Sequence, residues 1–241
     1  EELAADIRSK GGENDSPSRN LSRFLDRLAE RLHGDIALDV LPIWRNDRFG
    51  RGGDHTEFLN AGYPAVRLSV AVENYNHQHQ DLRVDNGVEY GDTIDKMDFP
   101  YLAKVTKLNV AALAWLASAP PPPEPTVEGA VSTDTTVKWK ILPGAADYVV
   151  RWRRTDASQW QEQRRASELR VVTECPVPIR ELQPGVATYG CQVPAILRGI
   201  RVDDWLFGVS SVSKDGFESP VAAAVPGGAF KPWAKSVEEK K

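Results

Sequence analysis

Ser118-Ala119-Pro120-Pro121-Pro122-Pro123-Glu124-Pro125 divides this 241-residue chain into two texts of different period. Consecutive prolines fix φ, remove backbone donors and favour an extended polyproline II spacer. Residues 119–125 therefore read as a linker between a domain at 1–118 and a second at 126–228, with a charged tail at 229–241. Before the linker, helical and strand patterns alternate. After it, apolar residues recur at every second position. The change sets the expected fold class: α/β, a partial three-layer mixed-sheet domain followed by an all-β sandwich of the immunoglobulin kind.

Upstream, Asp15-Ser16-Pro17 opens a helix, with Ser16 as N-cap and Pro17 at the first helical position. Leu21, Phe24, Leu25, Leu28 and Leu32 follow at three- and four-residue spacing and make one apolar face, which Gly34 ends. Residues 36–44 and 64–71 read as strands, the second with Val66, Leu68 and Val70 on one side. Asp98 caps a long helix whose buried face is Leu102, Val105, Leu108, Ala112, Leu113 and Leu116. Two strands do not make a stable sheet between helical layers, so this half is expected to have its remaining strands before residue 1.

Downstream, Val137, Trp139 and Ile141 alternate with Lys138 and Lys140, and Tyr148, Val150 and Trp152 alternate with Arg151 and Arg153. Further strands are expected at 169–173, 186–191, 205–212 and 221–225. Turn signals separate them at Pro143-Gly144, Gln183-Pro184-Gly185 and Lys214-Asp215-Gly216.

Hydrophobic content of 41% and charged content of 27% describe a globular protein. A net charge of -4 gives nucleic acid or an anionic membrane surface no electrostatic footing. No apolar run approaches the roughly 20 residues that span a bilayer, so no transmembrane segment is expected. Cys175 and Cys191 lack zinc-knuckle spacing; a disulfide and two buried thiols both stay open.

Three of the four histidines, His55, His77 and His79, fall between residues 51 and 81. In Arg51-Gly52-Gly53-Asp54-His55-Thr56-Glu57-Phe58 the glycines allow a tight path. The Asp54-His55 pair then reads as ligand, orienter or proton shuttle, or Asp54 reads as a helix cap; the two are compatible. In Asn74-Tyr75-Asn76-His77-Gln78-His79-Gln80-Asp81 the two histidines are either solvated or metal-binding. Their place after an apolar strand favours a site, because sites in α/β folds collect at the carboxyl ends of strands. His33 suits the negative end of a helix dipole. Glu73, Asp81, Asp85, Asp92 and Asp95 read as a solvated acidic loop. Phosphate-binding glycine loops and serine-nucleophile elbows are absent from the sequence.

Taken in order, Gly53-Asp54-His55-x-x-Phe58, Gly62-Tyr63-Pro64-Ala65, an apolar strand, then Tyr75 and a histidine before an acidic loop resemble the closing segment of the zinc-dependent aminopeptidase family. These are two-zinc exopeptidases related to glutamate carboxypeptidases and glutaminyl cyclases. The resemblance covers residues 12 to 118, and Asn14 to Leu21 and Arg45 to Arg51 look like a bacterial branch of it. It implies two zinc ions bridged by an aspartate and a water, a glutamate base, and hydrolysis of N-terminal peptide bonds. Five of the family's groups find no match here and are expected upstream: a histidine, the bridging aspartate, the base glutamate, a ligand glutamate beside it and a further aspartate. For this chain the resemblance implies one zinc ligand, His79 with His77 the alternative, Asp54 and His55 in support, and Phe58 in the substrate pocket. Gln80 and Asp81 stand where the family carries a threonine and a slightly later aspartate, which keeps both histidines in play.

Trp205-x-Phe207-Gly208-Val209 and Asp215-Gly216-x-Glu218-Ser219-Pro220 resemble a fibronectin type III module. The expectation is the C-terminal portion of a secreted or periplasmic metallo-exopeptidase, inactive as the isolated chain. Its partners would be a peptide substrate and the missing N-terminal part of the catalytic domain. The rival is a non-catalytic binding or structural module, a degenerate peptidase homologue whose sandwich is the working part.

Overall fold

Ser16 starts the first helix through a local bond. In the computed structural model, which describes residues 14–43, 52–169 and 191–226, its hydroxyl accepts from the Arg19 N–H at 3.2 Å. Helix α1 then runs Pro17–Arg31 with proline in its first turn. A short turn of helix, α2, follows at His33–Ile36. Gly34 lies inside that turn and does not end the helix as expected; Ala37 takes the left-handed position at φ 50°. The added turn brings Ile36 into the core. Next come α3 at His55–Asn60 and a hairpin of β1, Arg83–Asp85, and β2, Val88–Tyr90. Helix α4 spans Phe99–Ser118, and its Asp98 cap accepts from the Tyr101 N–H at 2.9 Å. The expected strands at 169–173 and 186–191 fall largely outside the described residues. Arg45 to Arg51, Gln183-Pro184-Gly185, Cys175 and the tail at 229–241 lie wholly outside them.

Phe24, Leu25, Leu28 and Ala29 of α1 pack with Ile36, Leu108 and Ala112 into one cluster. Leu38, Val40 and Val66 rest against it. The strands expected at 36–44 and 64–71 do not form: among the described residues neither segment pairs with another. A strand exists only through its ladder, and here the apolar pattern is present without a partner. Leu41, Ile43, Leu68, Val70 and Val72 stay exposed, Val72 at 89%. On α4, Leu108 and Ala112 are buried as expected, but Leu102 and Leu113 are exposed, at 43% and 69%. The apolar stripe is wider than the surface that covers it.

After the prolines come β3 (Thr126–Glu128), β4 (Thr135–Lys140), β5 (Asp147–Arg154), β6 (Glu162–Arg165), β7 (Gln192–Leu197), β8 (Trp205–Val212), β9 (Ala222–Ala223) and β10 (Val225–Pro226). They form two four-stranded sheets, ordered β10-β3-β4-β7 and β6-β5-β8-β9. Pairing is antiparallel except between β10 and β3. One core holds Val127, Val137, Trp139, Val193, Ala195 and Leu197 from the first sheet with Tyr148, Val150, Trp152, Phe207 and Val209 from the second. The chain crosses from one sheet to the other at Ala224. The described protein is thus mixed α/β with several sheets and few helices.

The linker is seated. The Ser211 hydroxyl donates to the Pro121 carbonyl at 2.7 Å, and Val225 N–H donates to the Pro125 carbonyl at 3.0 Å. Helix α1 lies on the outer face of β5 and β8 through two charge clusters. In one, Asp15 accepts from Arg153 Nη2 at 2.6 Å and faces Arg23 Nη1 at 3.8 Å. Both guanidiniums are fully buried. Arg23 also donates to the Ser158 carbonyl at 2.6 Å, and Trp160 Nε1 donates to Asn20 Oδ1 at 3.2 Å. In the other, Glu218 takes Arg151 in a two-point bridge, 2.6 and 3.3 Å, beside Ser210. The Glu218 carbonyl also accepts from Trp115 Nε1 at 2.9 Å. Burial, and Arg27 close by, pull Arg151 down to about 10.

Asp26 sits at the same seam and hydrogen-bonds Gln159. Burial and the neighbouring Glu30 push its carboxyl above the usual value of 3.8, against the pull of the Gln159 amide. A raised folded-state pKa contributes stability that is full below the unfolded value and lost as pH rises through the folded one. Asp26→Asn keeps the acceptor and removes the charge. It should stabilise the protein at about pH 7, and the gain should vanish near about pH 3, as paired urea melts would show.

Candidate functional site

Two loops hold the candidate residues, and the extended segment at 64–70 joins them. Its start is pinned by the Ala65 N–H, which donates to the Ser18 hydroxyl of α1 at 3.2 Å. Ahead of α3, Asp54 occupies the cap position with helical backbone, φ -57°, and its side chain makes no capping bond. It is exposed. The cap reading of Asp54 thus holds for position and not for chemistry. The His55 ring folds back over the loop, its Nδ1 lying 3.2 Å from where a Cβ on Gly53 would stand. Arg67 Nη1 reaches the Gly52 carbonyl at 3.3 Å and ties this loop to the segment. Phe58 is 59% exposed.

Beyond the segment, Asn74 caps a single 3-10 turn at Tyr75–His77. Its Oδ1 accepts from the Asn76 N–H at 3.0 Å, and its Nδ2 lies 3.0 Å from His77 Nδ1. Glu73 accepts from Gln78 Nε2 at 3.0 Å, and the Asn76 carbonyl accepts from the Gly91 N–H at 2.9 Å. The turn is therefore held from both sides. His79 adopts φ 54°, in the left-handed region, as Ala37, Asn86 and Val131 also do.

The acidic residues Asp81, Asp85, Asp92 and Asp95 are exposed, as expected. The hairpin between them was not expected. Its signal was in the chain: Asn86-Gly87, both at positive φ, 48° and 81°, is the residue pair that a two-residue hairpin turn prefers. Arg83 lies 3.9 Å over the Tyr90 ring and donates to Gln80 Oε1 at 3.0 Å, so the hairpin braces the histidine turn. His33 pairs with Asp39 at 3.5 Å on the surface.

These residues do not complete a metal site. Among the described residues no group of three or more His, Cys, Asp or Glu stands close enough to hold an ion. Zinc takes about four ligands in structural sites and about three plus water in catalytic ones. One or two histidines fall short, so no hydrolytic step follows from this set alone. Cys191 is buried and disulfide-bonded.

A cavity of about 1530 Å³ lies elsewhere, between the start of α1, the proline segment and the sheets, where Tyr63, Leu116, Pro122, Leu206 and Val225 line it. It includes none of the histidines. Leu116 in the last turn of α4 borders it, and so do Leu59 of α3 and Gly62, Tyr63 and Pro64 just beyond it. Among the described residues, no helix is long and apolar enough to cross a membrane.

No protein-family model matches the chain. It is similar to a probable zinc metalloprotease of Leptosphaeria maculans, 40% identical over 221 residues, which is 90% of this chain and 45% of the relative. A probable zinc metalloprotease of Pyrenophora tritici-repentis is 38% identical over 221 residues, 90% of this chain and 40% of the relative. One of Pyricularia oryzae is 37% identical over 228 residues, 91% of this chain and 40% of the relative. The chain spans less than half the length of these relatives, and the match runs through both of its halves.

Proposed function

We propose that residues 1–118 are the closing part of the catalytic domain of a zinc-dependent exopeptidase of the aminopeptidase type. The intact enzyme would bind two zinc ions and cleave N-terminal residues from peptides. His79 would supply one ligand, Asp54 and His55 would support the loop, and Phe58 would border the substrate pocket. The observation that carries this reading is the open apolar surface of Leu41, Ile43, Leu68, Val70 and Val72, which has the pattern of sheet strands and no ladder. Unpaired segments with strand spacing and exposed apolar residues are places where a partner strand can add, and relatives named as zinc metalloproteases are more than twice as long. The remainder of the catalytic domain would pair with these segments and bring the other metal ligands.

The sheets at 126–226 are proposed as a fibronectin type III-like sandwich that forms a second domain behind the first. Its cavity is shared with the first half through Leu59, Gly62, Tyr63, Pro64 and Leu116. A buried disulfide at Cys191 supports a secreted or otherwise oxidising location. The rival reading, a non-catalytic interaction module, draws on the absence of a complete metal cluster among the described residues.

The purified 241-residue chain should hold far less than one zinc after dialysis against the metal and release no N-terminal amino acids from peptides. Stoichiometric zinc with turnover in this chain alone would overturn the proposal that its site is completed from elsewhere.

A further inference from the structure

Helix α1 is covered on two faces, and only one of them is apolar. Phe24, Leu25, Leu28 and Ala29 pack with Leu108 and Ala112 of α4. Asn20, Arg23 and Arg27, at three- and four-residue spacing, form the other face. On a surface helix such a face normally meets water. Here Asn20 and Arg23 are buried, and a buried polar group costs free energy unless it is paired. Part of the pairing comes from the sandwich: the Ser158 carbonyl for Arg23, the Trp160 indole N–H for Asn20 and the Gln159 amide for Asp26. The need runs both ways. Arg153 of β5 is buried in the outer face of its own sheet and takes its carboxylate from Asp15, just ahead of α1.

The end of α4 is tied in as well. Trp115 Nε1 donates to the Glu218 carbonyl, and its ring stands edge-on to Phe217 with centroids 5.2 Å apart. Arg31 of α1 lies 4.6 Å over the same indole. The proline segment is held by the Ser211 hydroxyl, and Pro120, Pro123 and Pro125 are buried. A spacer between domains that fold apart would run through solvent with few contacts across it. We infer that the sandwich is an integral part of the fold that carries the candidate site, the docking partner of the polar face of α1, and not a module that folds separately. Through α1 it reaches the candidate loops. Ser18, three residues beyond Asp15, accepts from the Ala65 N–H where the segment between the two loops begins. Similarity to the Leptosphaeria maculans relative covers 90% of the chain, and so both halves.

Hydrogen exchange of this chain across a urea series, read by mass spectrometry, tests the coupling. The central amides of α1, Phe24 to Leu28, and those of β5, Val149 to Trp152, should lose protection at the same urea concentration, as one cooperative unit does. Loss of protection in α1 while β5 stays protected would overturn the inference. Arg153→Met changes only the sandwich. It should speed exchange in α1 and in β5 by the same factor, about tenfold, through loss of a charge-assisted hydrogen bond. Faster exchange in β5 with α1 unchanged would also overturn the inference, and if the variant does not fold the wild-type series decides alone. Neither measurement uses zinc or turnover. A full-length protein that binds no zinc refutes the peptidase reading and leaves the coupling of the two halves untouched.

Discussion

Asp15→Asn is expected to cost the protein about 3 kcal/mol. Asp15 is the carboxylate that faces both Arg23 and Arg153, whose guanidiniums are fully buried. Burial, together with Arg153 close by, already pulls Arg23 down to about 10. Removing one partner of a buried pair leaves an uncompensated charge and costs roughly 3–5 kcal/mol. The lower end applies because Asp15 keeps 29% of its side-chain surface in solvent. The loss is electrostatic, so Asp15→Asn combined with Arg153→Met should cost less than the two single changes added together, because one of the two unpaired charges disappears. Urea melts of the four proteins measure this. Additivity of the two changes would show that the cluster does not act as a unit.

Gly208→Val should destabilise by about 3 kcal/mol or prevent folding. Gly208 sits in β8, and a Cβ there would stand 2.5 Å from Val221 Cγ1, 2.9 Å from the Ala222 carbonyl oxygen and 2.9 Å from the Trp160 ring. The Val221 methyl can yield. The carbonyl cannot move without disturbing the pairing of β8 with β9, where Gly208 stands opposite Ala223. Overpacking a tight site costs roughly 1–3 kcal/mol, and a rigid backbone neighbour places this case at the top of that range. Gly208→Ala should cost less and in the same direction. A thermal melt unchanged by Gly208→Val would mean that the β8–β9 edge is looser than its geometry indicates.

Local chemistry was legible in the sequence and pairing was not. Ser16 and Asp98 cap their helices through bonds to residues three positions on, so the signal lies within a few residues. The alternation around Trp139, Tyr148, Val150 and Trp152 placed β4 and β5 for the same reason. The segments at 36–44 and 64–71 carry equally good apolar patterns, yet a strand depends on a distant partner that the pattern does not name. The edge strand β6, Glu-Gln-Arg-Arg, has no apolar residue to announce it. Arg151 and Arg153 read as the solvent face of a strand, but α1 covers that face, and the charge clusters that join the two halves were therefore invisible. At the candidate site the residue types were legible and their neighbours were not: nothing in His-x-His says that one ring lies beside the Asn74 amide, at 3.0 Å.

Zinc content of the full-length protein, wild type against His79→Ala, is the most direct test of the central claim. The account predicts two zinc ions in the wild type, a clear loss of bound metal and of aminopeptidase activity in His79→Ala, and retention of metal in His77→Ala. A full-length protein that binds no zinc, or one whose metal is untouched by His79→Ala, would contradict it.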